Sequence, residues 1–98
     1  MNLRHAAVLA LVGWYLMVPP VNKTGDHEYG VDFGSALSKW AVNAAFDKAS
    51  NCNALAGQMS SMGLKDLKKY PASSFKWALA DMWTQCQCIA TDDPRLAK

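Results

Sequence analysis

The chain has 98 residues and a formal net charge of +2, and 51% of its residues are hydrophobic. This length allows one domain at most, and so weak a positive charge gives no support for nucleic-acid binding. Without an N-terminal targeting segment the remaining core is marginal in size, and small exported domains of this kind often carry a covalent cross-link.

Residues 1–20, MNLRHAAVLALVGWYLMVPP, form a candidate export signal. Arg4 supplies a short positive region, residues 6–18 carry no charge, and two prolines follow. This is the pattern of a secretory signal, although no small-residue cleavage motif follows the apolar stretch. Three interpretations stay open: a signal peptide cleaved at a poor site, a retained signal anchor that contacts the membrane through residues 3–18, and a buried core helix.

The two export interpretations predict the same side of the membrane. The protein would be in the periplasm, secreted, or anchored on the periplasmic face of the inner membrane. Disulfides are permitted in such a compartment.

Residues 21–38 are rich in polar residues and glycine and show no helical period, so they are predicted to be an irregular arm or linker. A short edge strand within "YGVDF" is the only regular element considered there. Residues 39–98 are predicted to be a small α+β domain.

Strict alternation of large apolar residues predicts a half-buried strand in "KWAVNAAF". Its apolar side would consist of Trp40, Val42, Ala44 and Phe46.

A helix is predicted directly after this strand, over residues 48–62. Asp47 is the expected N-cap, Cys52 lies on the apolar face, and Gly63 is the expected stop. Gly57 weakens the middle of this helix by about 1 kcal/mol relative to alanine, unless it marks close packing.

The last elements are a second helix and a short strand. Pro71 favours a new start, Ser73 or Ser74 can cap the helix "FKWALADMWTQ", and "CQCIA" over residues 86–90 has the character of a strand. The predicted fold is therefore a hydrophobic N-terminal helix followed by a strand–helix–helix–strand domain, in which the two strands pair and the helices cover one face.

The three cysteines can be used in several ways. If the first helix packs on the sheet, a sheet-facing Cys88 comes within bridging distance of Cys52. In a strand, Cys86 points to the same face and competes with Cys88. Metal binding or thiol exchange by the pair Cys86 and Cys88 is the alternative, but a zinc site needs four well-placed ligands.

Catalysis has little support in this sequence. His27 is the only histidine outside the leader, its "DHE" context is typical of a solvated loop, and no phosphate-binding glycine pattern occurs. The pair Asp92 and Asp93 lacks the further oxygen ligands of a calcium site. The lysine run over residues 65–70 is interpreted as a solvated turn or helix face rather than an anion or lipid-headgroup site.

Three stretches resemble a group of small, uncharacterised exported bacterial proteins. They are "LVGWYLMVPP", "LSKWAVNAAFDKASNCNA" and "QCIATDDPRL", which carry a W…F-D-x-A-x-x-C segment and a closing C-[IV]-A-[ST]-D-D-P-R-L. The resemblance covers about half of the chain and transfers no known activity. It implies that Cys52 pairs with Cys88 and that Cys86 is the extra thiol.

Together, these features predict a non-enzymatic binding or structural module of the cell envelope that is stabilised by a disulfide. No catalytic residue, metal ligand or cofactor is predicted. The alternative is a metal-binding or thiol-exchange protein that uses the C-x-C pair.

Overall fold

A computed structural model describes residues 13–97, which form an α+β fold. The α+β class is confirmed, but the order of elements differs from the prediction at the N-terminal side. In chain order the described elements are β1 (Trp14–Val18), β2 (Val21–Gly25), β3 (Glu28–Val31), the 3-10 helix η1 (Leu37–Lys39), β4 (Ala41–Phe46), α1 (Ala49–Leu67), α2 (Phe75–Thr84), β5 (Gln87–Ala90) and the 3-10 helix η2 (Pro94–Ala97).

Strand β1 is the centre of a three-stranded antiparallel sheet in the order β4–β1–β5. Its residues Leu16, Met17 and Val18 are 0%, 2% and 4% exposed. A strand covered on both faces is apolar at consecutive positions, which explains a stretch that otherwise resembles a signal segment. The predicted N-terminal helix is therefore wrong over Trp14–Val18, and its residues 1–12 lie outside the described part of the chain.

The predicted direct pairing of β4 with β5 is also wrong, because β1 lies between them and pairs with both. Residues paired across antiparallel strands share a face of the sheet. Leu16, paired with Ala44 on one side and Cys88 on the other, belongs to the face that α1 covers. The opposite face holds the hydrophobic core cluster, which consists of Met17, Trp40 and Ile89 with Tyr15, Leu37 and Leu96 packed against it.

A β-bulge in β4 explains why the predicted apolar side of this strand is divided. Leu16 pairs with Ala44 and Met17 with Val42, so Asn43 has no partner. An extra residue reverses the alternation of the side chains beyond it. Trp40 therefore joins the Met17 cluster, whereas Ala44 lies on the Leu16 face, and Val42 remains 51% exposed.

Helix α1 begins and ends differently from the prediction. Lys48 is its N-cap residue and no side chain caps the helix, so the predicted Asp47 cap is wrong. The helix also runs past Gly63 to Leu67. A Cβ on Gly63 would lie 2.6 Å from the carbonyl oxygen of Ala80 in α2, so this glycine is the contact point of two helices and not a stop signal.

Helix α2 begins as one of the two serine options predicts. The Ser74 hydroxyl accepts a hydrogen bond from the Trp77 amide at 3.2 Å, which satisfies one of the free N–H groups of the first turn. The helix ends at Thr84, and Cys86 lies between the helix and β5.

The predicted irregular arm contains a β-hairpin, formed by β2 and β3. Strand β3 overlaps the edge strand predicted within "YGVDF", whereas β2 was missed because its central residues Asn22, Lys23 and Thr24 are polar and exposed. The hairpin contacts α2: the Tyr29 amide donates to the Ser73 carbonyl at 2.8 Å, and the Tyr29 and Phe75 rings meet edge to face at 5.2 Å. Ser73 adopts a left-handed backbone (φ 67°).

Candidate functional site

The three cysteines lie where α1 covers the sheet. Cys52 and Cys88 form a disulfide whose Cα atoms are 6.1 Å apart, and 36 positions of sequence separate them. This is the pairing that the resemblance implies. Cys52 is fully buried on the apolar face of α1, and Cys88 lies opposite Leu16 in β5. The disulfide therefore links the covering helix to an edge strand of the sheet.

The third cysteine, Cys86, is a half-buried free thiol just before β5. Its Sγ donates to the carbonyl oxygen of Ala56 at 3.6 Å, so it packs on α1 one turn beyond Cys52. Burial raises the pKa of the Cys86 thiol, and the hydrogen bond to its backbone opposes this only in part. A buried thiol with a raised pKa forms little thiolate at neutral pH and is a poor nucleophile and metal ligand.

The two cysteines of the C-x-C motif therefore have different states. The Cys88 sulfur is bonded to Cys52, and the Cys86 thiol is directed at a backbone carbonyl. In the oxidised protein they do not form a dithiol. Across residues 13–97, no three His, Cys, Asp or Glu side chains are grouped so that they could hold a metal ion.

Two of the residues considered for chemistry, Asp93 and His27, have clear roles or positions. Asp93 accepts hydrogen bonds from the backbone amide of Arg95 at 2.9 Å and from its guanidinium at 2.7 Å. These bonds and the nearby positive charge lower the pKa of Asp93 to about 2. They hold the start of η2, which places Leu96 against the core cluster. His27 is at the exposed turn of the hairpin, 3.7 Å from Asp26.

Two shallow clefts of similar size lie on elements of the described chain. One, of about 280 Å³, lies between the end of α1 and α2 and is lined by Asp66, Tyr70, Lys76, Leu79, Ala80 and Trp83. The other, of about 260 Å³, lies on the β2–β3 hairpin and is lined by Asn22, Thr24, Gly30, Val31 and Asp32. Neither cleft is lined by a cysteine or a histidine.

The helical cleft has paired charges at its rim. Lys76 places its Nζ 5.7 Å from the centre of the Tyr70 ring. Lys69 places its Nζ 3.4 Å from Asp66 Oδ1.

Within residues 13–97, no helix has the length and hydropathy that a membrane span requires.

No family model, curated protein or solved structure matches this chain. The site is therefore defined by its own geometry. Sequence reasoning identified the three cysteines but missed Gly13 and Thr91, and it interpreted Gly63 as a helix stop and not as the contact point of α1 and α2. The sequence does contain a pattern that could have identified Gly13, because an apolar run bounded by a glycine and two prolines is also typical of a buried central strand.

Proposed function

We propose that this chain is a small exported protein of the bacterial cell envelope that acts as a non-enzymatic binding or structural module. The observation that carries the proposal is the disulfide between a fully buried helix residue, Cys52, and the sheet residue Cys88. Structural disulfides persist in oxidising compartments and are rare in a reducing cytosol. Within the candidate export signal over residues 1–20, the apolar residues before Gly13 can serve this location without removing β1 from the sheet.

The residues that carry the family resemblance support a structural role. The three stretches that define it contain the three strands of one sheet: β1, β4 with the start of α1, and β5 with η2. Within them, Cys52 and Cys88 form the disulfide, Trp40 packs in the core, and Asp93 pairs with Arg95. Because these residues stabilise the fold, the shared motifs are explained by folding and support a structural role.

The proposal is tested by producing the full chain in an exporting bacterial host and measuring its intact mass after alkylation in denaturant without reductant. We expect one alkylated cysteine, and recovery in the periplasmic or membrane fraction. Cys86→Ala is the matched control, and it should take up no label. Three alkylated cysteines in protein recovered from the cytoplasm would refute both the disulfide and the export.

The alternative, metal binding or thiol exchange by Cys86 and Cys88, is the weaker proposal. The disulfide occupies the Cys88 sulfur, and burial raises the Cys86 pKa. This alternative requires stoichiometric zinc or copper binding, or rapid alkylation of Cys86 in the folded protein at neutral pH. Slow labelling that accelerates only in denaturant would favour the structural module.

A further inference from the structure

Cationic side chains are concentrated where α1 ends and α2 begins. Residues 65–76 contain four lysines and one carboxylate, Asp66. All other described residues together carry four cationic and seven acidic side chains. The described part of the chain is therefore polarised, with a positive end at the helix junction and a negative remainder.

The four lysines form one surface, which we call the lysine face: Lys65, Lys68, Lys69 and Lys76. The first three are exposed at the C-terminal end of α1: Lys65 lies in its last turn, Lys68 is its C-cap residue, and Lys69 follows in the turn beyond it. Lys69 is 67% exposed even though it is paired with Asp66. Lys76 joins the same surface from α2, because Asp66 and Lys76 line one cleft.

Exposed apolar side chains border the lysine face. Met62 is 49% exposed and Leu64 is 56% exposed. At 100° per residue, Met62 and Leu64 lie on either side of Lys65 on α1. Lysines next to exposed apolar groups match the boundary between lipid headgroups and acyl chains, where each cation contributes about 1 kcal/mol toward an anionic surface.

We propose that the lysine face binds the surface of a membrane that contains anionic lipids. The charge of the face is complementary to that of the headgroups, and Met62 and Leu64 contact the apolar boundary below them. The acidic remainder of the domain then points away from the membrane. This inference deepens the proposed function and rests on it for location, since it gives an exported module a partner in the envelope.

The test measures binding of the oxidised full-length chain to two kinds of vesicle, phosphatidylcholine alone and phosphatidylcholine with one quarter phosphatidylglycerol. Binding to the neutral vesicles is the baseline, because it includes any contribution of the apolar residues 1–12. We expect tighter binding to the anionic vesicles, weakening as ionic strength rises. Substituting Lys65, Lys68 and Lys69 by glutamine should lower binding to the anionic vesicles by roughly 100-fold, at about fivefold per lysine.

The matched control substitutes Lys23, Lys39 and Lys48 by glutamine, since these are exposed lysines of other elements: β2, η1 and the N-cap of α1. It makes the same change in net charge and should change anionic binding by less than about fivefold, the share of one interfacial lysine. Equal losses in the two triple variants, or no preference of the wild type for anionic vesicles, would overturn the proposal.

A second pair of measurements separates a membrane from a soluble polyanion. Met62→Ser combined with Leu64→Ser should weaken binding to anionic vesicles and leave binding to heparin unchanged. If this variant binds both as the wild type does, the face is a polyanion site and the membrane proposal is wrong. Because purified protein is used, this failure is distinguishable from a failure of export, which cell fractionation reports.

Discussion

Gly13 and Thr91 are joined by two hydrogen bonds across 78 positions of sequence. The Gly13 amide donates to Thr91 Oγ1 at 3.0 Å, and the Thr91 amide donates to the Gly13 carbonyl at 2.9 Å. A Cβ on Gly13 would lie 2.7 Å from the carbonyl oxygen of Phe46 in β4. The start of β1 is thus held between the two strands that flank it, and the domain cannot form its sheet without this segment.

This relationship predicts the result of two N-terminal truncations. A chain that begins at Gly13 keeps every described strand and helix and is expected to fold with the Cys52–Cys88 disulfide. A chain that begins at Val21 lacks β1 and loses Leu16, Met17 and Val18 from the core. Because one buried large-to-alanine change costs about 2–5 kcal/mol, loss of all three should leave no cooperative unfolding transition in circular dichroism.

The same two chains bear on the leader. Cleavage at residue 20 would remove the central strand, so an export signal compatible with this sheet ends before Gly13 or is retained. A cooperative transition in the chain that begins at Val21 would contradict the central role of β1. In that case residues 1–20 would be free to act as a cleaved signal peptide.

Two glycines in α1 provide a matched pair of substitutions. At Gly63 an added Cβ meets the Ala80 carbonyl at 2.6 Å, whereas at Gly57 nothing lies within 4 Å. Gly63→Ala is expected to destabilise the fold by about 1–3 kcal/mol because the helices must separate. Gly57→Ala should stabilise it by up to about 1 kcal/mol through helix propensity alone. Urea denaturation measures both, and equal effects would show that α1 and α2 do not cross at Gly63.

The disulfide is expected to be a major part of the stability of the domain. Closing a loop of this length in the unfolded chain is worth about 3–4 kcal/mol. Replacing Cys52 and Cys88 together by alanine should lower the free energy of unfolding by that amount in urea denaturation without reductant. Cys86→Ala keeps the disulfide and should cost less than about 1.5 kcal/mol. An unchanged unfolding midpoint on full reduction of the wild type would contradict this assignment.

The sequence predicted the parts of the fold that depend on local pattern. The two helices, the strands around Ala44 and Cys88, and the Ser74 cap all follow from spacing or capping chemistry. The disulfide followed from the resemblance, with a spatial argument that left Cys86 and Cys88 as alternatives. Cys86 is excluded from the sheet because α2 ends only two residues before it.

The parts that were missed depend on contacts between distant residues. The apolar run at Trp14–Val18 is equally suited to a lipid environment and to a strand covered on both faces, and only its pairing with β4 and β5 distinguishes the two. Glycine is a common helix stop, so the local sequence around Gly63 predicts an end of the helix. The contact that decides its role is with Ala80, which lies 17 residues further along the chain. The bulge at Asn43 arises because Met17 pairs with Val42 while Leu16 pairs with Ala44. The alternation of residues within β4 alone does not predict this pairing.

The Asp93–Arg95 pair predicts a pH dependence confined to the acid range. Hydrogen bonds from Arg95 lower the pKa of Asp93 from 3.8 to about 2 in the folded chain. Because the pKa of Asp93 is lower in the folded chain, its ionised carboxylate stabilises the fold at pH values above about 3.8. This stabilisation is lost as the pH falls from about 3.8 through about 2. Asp93→Asn should therefore lower the melting temperature at neutral pH, and its difference from the wild type should shrink through this range and vanish below about pH 2. Asp92→Asn makes the same charge change at an exposed neighbour; if it matched Asp93→Asn, the effect would come from net charge and not from the pair.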